Sequence, residues 1–402
     1  MKTRRFLSLV LSLALAIPLA VAAPASAADL TYDVPGGKIY FDANTGAITD
    51  SDKTITEAVI PSQIYGVTVT AIEGRAFLSC TELASLTIPN TVTSIGKEAF
   101  SGCTALTSVV IPNSVTEMGS DVFHGCTGLT SATIGSGLPG LAPGIFSGCR
   151  SLSGVTIPSN ITYIDTEAFF NCKALTSITI PSSVTAIGGK AFSGSGLTSI
   201  YLPDSVTTFL GKTFENCTSL TSARLPGTLD EVPVTMFSGC SQLTDIVIPD
   251  GVTEIGAWSF QFCPNLKSIT IPASVERVGD WAFRSSEGLT DVYYGGTAMD
   301  WSQIEVRPVN NSLLSATIHF AEPVAGFTDV TSNDYYAQAV QWAVDRGVTT
   351  GTGANTFSPA NTVTRAEAVT FLWRAAGSPE PASAASPFTD VTDPGAYYYK
   401  AV

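Results

Sequence analysis

Residues 106–126 read LTSVVIPNSVTEMGSDVFHGC, and their apolar positions are Leu106, Val109, Ile111, Val115, Met118, Val122 and Phe123. The LxxVxI opening has the alternation of a short half-buried strand, and Pro112 ends it by withholding a ladder donor. The same skeleton returns as LTSITIPSSVTAIGGKAF from Leu175, LTDIVIPDGVTEIGAWSF from Leu243 and LKSITIPASVERVGDWAF from Leu266. Phenylalanine marks the register at 77, 100, 123, 146, 169, 192, 214, 237, 260 and 283, a step of 23 broken once by a step of 22. Self-similarity at such a period predicts a repeat solenoid, in which each unit buries its apolar edge only by stacking on the next. One short strand per 23-residue coil is expected.

The ends of the array depart from the pattern. Pro61 lies 16 residues before Phe77, against 11 from Pro89 to Phe100, so the first copy carries an insertion around IYGVTV and is expected to form the N-terminal cap. At the other end, LTDVYYGGTAMDWSQIEV followed by SATIHF loses the Ile-Pro signal and brings in Tyr293, Tyr294 and Trp301. That segment is expected to close the last coil, because an uncapped end exposes apolar surface and strand edges. The boundaries read as a leader at 1–27, a lead-in at 28–54, the solenoid at 55–295 and its C-terminal cap at 296–322.

The leader combines a basic MKTRR start, the apolar run FLSLVLSLALAIPLAVA and a small-residue close at Ala25, Ser26 and Ala27. This is the pattern of a secretory signal peptide. No other long apolar run exists, so no membrane span is expected after cleavage. The formal net charge of −14 opposes a nucleic-acid partner, which needs clustered Lys and Arg.

With IP after the strand, a Val-Thr-x-Ile-Gly step and an AF-x-x-C close, residues 55–295 resemble the BspA-type leucine-rich repeats of bacterial surface proteins. The resemblance implies a leucine-rich-repeat solenoid that binds host or neighbouring-cell proteins. The period vanishes after Pro323, where helical patterning begins: Tyr336, Val340, Ala343 and Val344 share a face, and Gly347 follows as a left-handed cap. Thr364 and Glu367 are spaced as a capping box before a run whose face is Ala368, Phe371 and Leu372. The FTDV opening, the Gly351 to Gly353 loop and the TRAEAV block resemble a small α-helical S-layer homology (SLH) domain, here 323–377. A linker at 378–387 and the start of a second copy at 388–402 follow, so the chain is expected to be a fragment of a longer one.

By that resemblance the module holds the protein on cell-wall polysaccharide bearing pyruvate ketals. Arg365 would meet the anionic sugar, the Gly351 and Gly353 turn would let backbone amides approach it, and Asp329 and Glu367 complete the matched set. Arginine in a first helical turn runs against the helix dipole, which favours a functional reason for Arg365.

The eight cysteines at 80, 103, 126, 149, 172, 217, 240 and 263 share one repeat position, with Ser195 and Ser286 in the other two copies. One cysteine per coil does not supply the clustered ligands of a zinc site, and parallel Cβ vectors disfavour disulfides, although export permits them. A ladder of small buried thiols is the simplest reading.

On the outward side the strand position between the core residues reads Thr87, Val110, Thr133, Thr156, Thr179, Tyr201, Arg224, Val247, Thr270 and Tyr293. Threonine there is good strand chemistry without further meaning. Tyr201 and Arg224 in adjacent coils, with Asp245 close by, form the candidate ligand patch, since Tyr and Arg are enriched at binding hot spots. The sequence holds two histidines, His124 and His319, and no metalloprotease, nucleophile-elbow or phosphate-loop signature. Asp42, Asn44 and Gly46 match a calcium loop only in part. No enzyme, cofactor or metal is expected. The expectation is an exported, wall-associated adhesin or recognition protein; the alternatives are a spacer without a specific partner and the non-catalytic arm of a wall enzyme encoded past residue 402.

Overall fold

The structure is a computed structural model, and it describes residues 30–321, 323–331, 336–359, 361–363 and 365–377. The leader, the linker, the second module copy and Thr364 of the capping box lie outside the described residues.

Ten stacked coils carry the phenylalanines on one internal line. Phe77 through Phe283 are all fully buried, and neighbouring rings lie parallel with centroids 4.9 to 5.8 Å apart. Each ring covers the face of the next, so no rung is apolar on one side and wet on the other. The predicted strands form parallel ladders such as Ser108–Val110 with Ser131–Thr133 and Gly154–Thr156. A second short strand appears in each coil at the Val-Thr-x-Ile step, as Ser94–Ile95 pairing with Glu117–Met118. Most coils therefore carry two strands where one was expected; in the coil from Leu175 the expected strand over 175–180 does not form, and Ala186–Ile187 is its one strand. Two residues are too few to show an alternation, which is why the step did not read as a strand.

A third backbone ladder runs beside the phenylalanines. The Phe77 amide donates to Ala99 O at 2.7 Å, and Phe100 to Val122 O at 2.9 Å. To aim these amides at the next coil, the chain places a left-handed residue two before and two after the phenylalanine, as at Arg75 and Ser79 or Glu167 and Asn171. Glycine fills the second position in five coils, at 102, 125, 148, 194 and 239, where φ runs from 67° to 75°. The single 22-residue step is absorbed in the turn before Leu197. There Gly196 passes so close over the Lys173 carbonyl that no Cβ would fit.

Three antiparallel strands precede the coils: β1 (Leu30–Val34), β2 (Gly37–Asp42) and β3 (Ala47–Ser51). β3 pairs in parallel with Ala71–Ile72 of the first coil, and Ile39, Phe41 and Ile48 cover its open core. This meander caps the array, which corrects the expectation that the first copy, with its insertion around IYGVTV, would form the cap. The insertion itself is a hairpin of Gln63–Ile64 with Val67–Thr68, turned through left-handed Tyr65 and Gly66. Its Tyr65 hydroxyl donates to Thr31 O of β1. Asp42 caps the β2–β3 turn by accepting from the Asn44 amide at 2.8 Å, a local turn bond in place of the partial calcium pattern.

After Tyr294 the coil pattern is interrupted by two short helices, α1 (Ala298–Trp301) and α2 (Asn311–Ser315), while Glu305–Val306 and Thr317–Phe320 continue the two strand ladders. Trp301 packs edge-on against Tyr294 with centroids 5.1 Å apart. Phe283 has no following coil to receive its amide. Buried Asn310 supplies the acceptor instead, taking the Phe283 N–H at 2.9 Å and donating to Gly279 O and Arg307 O. A side-chain amide thus replaces one rung of backbone.

The C-terminal module has its own small core of Phe327, Val330 and Val340. Its helices are α3 (Ala337–Asp345) and α4 (Arg365–Ala375). Gly347 closes α3 at φ 66°, with its amide on Val344 O and the Val348 amide on Ala343 O, the paired bonds of a left-handed C-cap. The α4 face differs from the expected one. Thr370 is buried, whereas Ala368 is exposed and Leu372 is 71% exposed, so the helix is turned away from the Ala368–Leu372 side.

Candidate functional site

The outward patch forms in part. Tyr201 is 62% exposed, and the Arg224 guanidinium lies 4.7 Å from its ring centroid. Arg224 also donates to Leu202 O at 2.8 Å and to Asp204 Oδ2 at 3.0 Å. That bond and the Gly227 amide hold the Asp204 carboxyl below its ordinary pKa. Arg224 is thus a brace between two coils as well as a surface cation. Asp245, in the coil after Arg224, accepts from the neighbouring Thr244 hydroxyl and pairs in register with Ser268 of the coil beyond. The carboxylate that completes the patch is Asp204, which the strand register could not show because it lies past Pro203, in the turn.

In the C-terminal module, Asp329 is half-buried and accepts from the Phe357 and Ser358 amides, each at 2.7 Å. Burial pushes its pKa up, but the two amides outweigh that and hold it below the ordinary value. Asp329 therefore pins the FSP loop to the FTDV strand. The Gly351 amide donates to Thr349 Oγ1, and the Thr352 and Gly353 amides both donate to Thr356 O. These amides are bonded inside the loop. Gly351 has a separate structural reason: at φ 82° it packs against Thr356 O and the Phe327 ring, where a Cβ would collide. Arg365 opens α4 and Glu367 lies in its first turn; the Arg365 side chain is outside the described residues.

Residues 51–176 and 162–290, together 60% of the chain, match the family described as the BspA type leucine rich repeat region, in six copies. The chain belongs to the BspA-type leucine-rich-repeat family. Residues 326–369 match the S-layer homology domain. Among solved structures, the chain is similar to a leucine-rich cell surface protein from Faecalibacterium prausnitzii A2-165, at 27% identity, TM-score 0.36, 70% of this chain and 99% of that one. It is also similar to leucine-rich repeat proteins from Bacteroides ovatus ATCC 8483 (21%, TM-score 0.40, 73% and 98%) and Eubacterium ventriosum ATCC 27560 (21%, TM-score 0.43, 77% and 100%). No curated protein matches the chain.

In this BspA-type solenoid the cysteines are free and buried. The Cys126 thiol donates to Phe100 O at 3.1 Å, Cys149 to Phe123 O at 3.1 Å and Cys240 to Phe214 O at 3.2 Å. Ser286 repeats the bond with oxygen, to Phe260 O at 2.7 Å. Burial pushes the Cys172 and Cys263 thiols up to about 12 and Cys217 to about 11. Such thiols are protonated at neutral pH and poor nucleophiles or metal ligands. Among the described residues no group of three or more His, Cys, Asp or Glu could hold a metal ion, and no helix is long and apolar enough to cross a membrane.

Two clusters went unread in the sequence. The last strand stacks His319 on Tyr293 with centroids 4.7 Å apart and pairs its Nε2 with Asp291 Oδ1 at 2.7 Å. At the turn edge of the last coils, Trp258, Phe262 and Trp281 occupy left-handed registers. The available signal was their departure from the Gly, Ser, Asn, Thr and charged residues of other coils at those registers.

Proposed function

We propose that this is an exported, non-catalytic surface protein held on pyruvylated cell-wall polysaccharide by its S-layer homology module, with the BspA-type solenoid as an adhesion or recognition arm. The observation that carries this reading is the joining of both parts in one chain: a capped solenoid whose chemistry faces outward only along its strands and turns, followed by a module with a separate core. S-layer homology domains generally bind wall polysaccharide, and leucine-rich repeats mediate protein interactions. Arg365 stands at the first turn of α4, the position where the module would meet an anionic sugar. The Tyr201–Arg224–Asp204 cluster is one of two aromatic breaks in an outward strand position otherwise of Thr and Val, the other being Tyr293 with His319, and it would meet a protein partner.

A spacer role is favoured for the middle coils alone. Their outward face is a shallow trough of Ser131, Thr133, Gly154, Thr156, Ser177 and Thr179, which offers a partner little to grip.

Cell walls with and without their secondary polysaccharide test the anchor. The chain should sediment with intact walls and stay in solution with stripped peptidoglycan; equal binding to both would overturn the polysaccharide reading.

A further inference from the structure

The turn edge of the last coils concentrates exposed aromatic surface. Trp258 (φ 57°) and Trp281 (φ 62°) occupy the same register of successive coils, and Phe262 (φ 59°) occupies the register that five other coils give to glycine. Val309, a β-branched residue, is also left-handed at φ 63°. Other coils fill these registers with Gly, Ser, Asn, Thr or charged residues at similar φ, so the left-handed backbone belongs to the fold, and what sets the last coils apart is that the side chains on it are aromatic. None of these rings is retained for burial: Trp258 is 42% and Phe262 49% exposed, and Trp281 is half-buried.

Arg284 ties the cluster together. Its guanidinium lies 4.1 Å from the Trp281 ring centroid and 5.9 Å from that of Phe262. Among the described residues it makes no salt bridge, unlike Arg224, Arg277 and Arg307, which all do. Beside it opens a hollow of about 340 Å³ lined by Arg284, Ser285, Glu287, Val309, Asn311, Ser312 and Ser315. Buried Asn310 fixes the backbone on the far side of that hollow through its bonds to Phe283, Gly279 and Arg307.

We propose that this edge is a binding site for an uncharged polysaccharide. Flat exposed rings match the C–H face of a pyranose, and the hollow supplies the guanidinium, carboxylate, amide and hydroxyls that pair with vicinal sugar hydroxyls. A protein anchor fits less well, because Val309 is the one aliphatic side chain in a lining otherwise of hydroxyl, amide and charged groups. A polyanion is disfavoured by Glu287 within the hollow and by the chain's net charge of −14. The site rests on the reading of the solenoid as a recognition arm and names a ligand class for it.

The test is equilibrium binding of the full chain to maltose, cellulose, laminarin, chitin and mannan oligosaccharides, with oligogalacturonate as the acidic arm. At least one neutral oligosaccharide should bind, and Trp281→Gly and Arg284→Ala should each weaken it about ten-fold or more. Trp281→Gly should melt no earlier than the parent, because Gly144 holds the same register at φ 62° in another coil. Binding to none of the neutral sugars, preference for the acidic one, or binding indifferent to both substitutions overturns the proposal. A protein ligand that is lost with Tyr201→Ala and kept with Trp281→Gly, with no sugar bound, would remove this site while leaving the recognition arm standing.

Discussion

At the scale of single residues, the cysteine register is decided by a donor as much as by size. The thiol of one coil donates to the phenylalanine carbonyl of the coil before, and Ser286 makes the same bond through oxygen. Cys149→Ser should therefore cost less than about 1 kcal/mol, whereas Cys149→Ala, which leaves the Phe123 carbonyl with the Cys126 amide as its remaining donor, should cost about 0.5 to 1.5 kcal/mol more than the serine variant in urea unfolding. Equal losses would make the thiol a space-filler alone. The positions were legible in the sequence, and the bond was not. Regular spacing announced a shared environment, but only the close approach of successive coils brings each sulfur to the preceding carbonyl. The outward patch shows the complementary limit. Tyr201 and Arg224 were readable because strand register places them side by side, whereas Asp204 joins them from beyond a proline, where register no longer applies.

At the scale of elements, each coil stands on its phenylalanine and each loop on its fixed polar contacts. Phe169 is fully buried between Phe146 and Phe192, with centroids at 5.7 and 5.4 Å. Phe169→Ala should cost about 3 to 5 kcal/mol, and hydrogen exchange should rise first in the neighbouring coils. A loss under about 1 kcal/mol would contradict the stacking account. In the C-terminal module, Asp329→Ala should raise amide exchange at Phe357 and Ser358 by about ten-fold or more, with the solenoid unchanged. The same carboxylate sets an acid limit. Its folded pKa is depressed, so its contribution is present above the ordinary value of 3.8 and disappears as the pH falls through the lower folded value. Module exchange that stays flat down through that range would argue against the pin. The long strands and helix α3 were readable from periodicity and from Gly347. The two-residue strands were too short to carry a period, and the β1–β3 cap was missed because its buried residues, Ile39, Phe41 and Ile48, belong to no repeat.

At the scale of the whole molecule, repetition makes a long surface, and the two ends decide where that surface is held. The N-terminal meander and the Asn310 carboxamide close the stack, so the coils do not need a partner to cover their core. The S-layer homology match supports a wall anchor on the C-terminal side, and in the proposed reading the strand and turn edges meet other ligands. The measurement that tests this division most directly is co-sedimentation with purified native cell walls of two proteins, residues 28–402 and residues 28–322, across a range of salt. The account predicts that the longer protein pellets and the shorter one stays in solution. Pelleting of both would make the solenoid the wall binder, and pelleting of neither would contradict anchoring through residues 323–402.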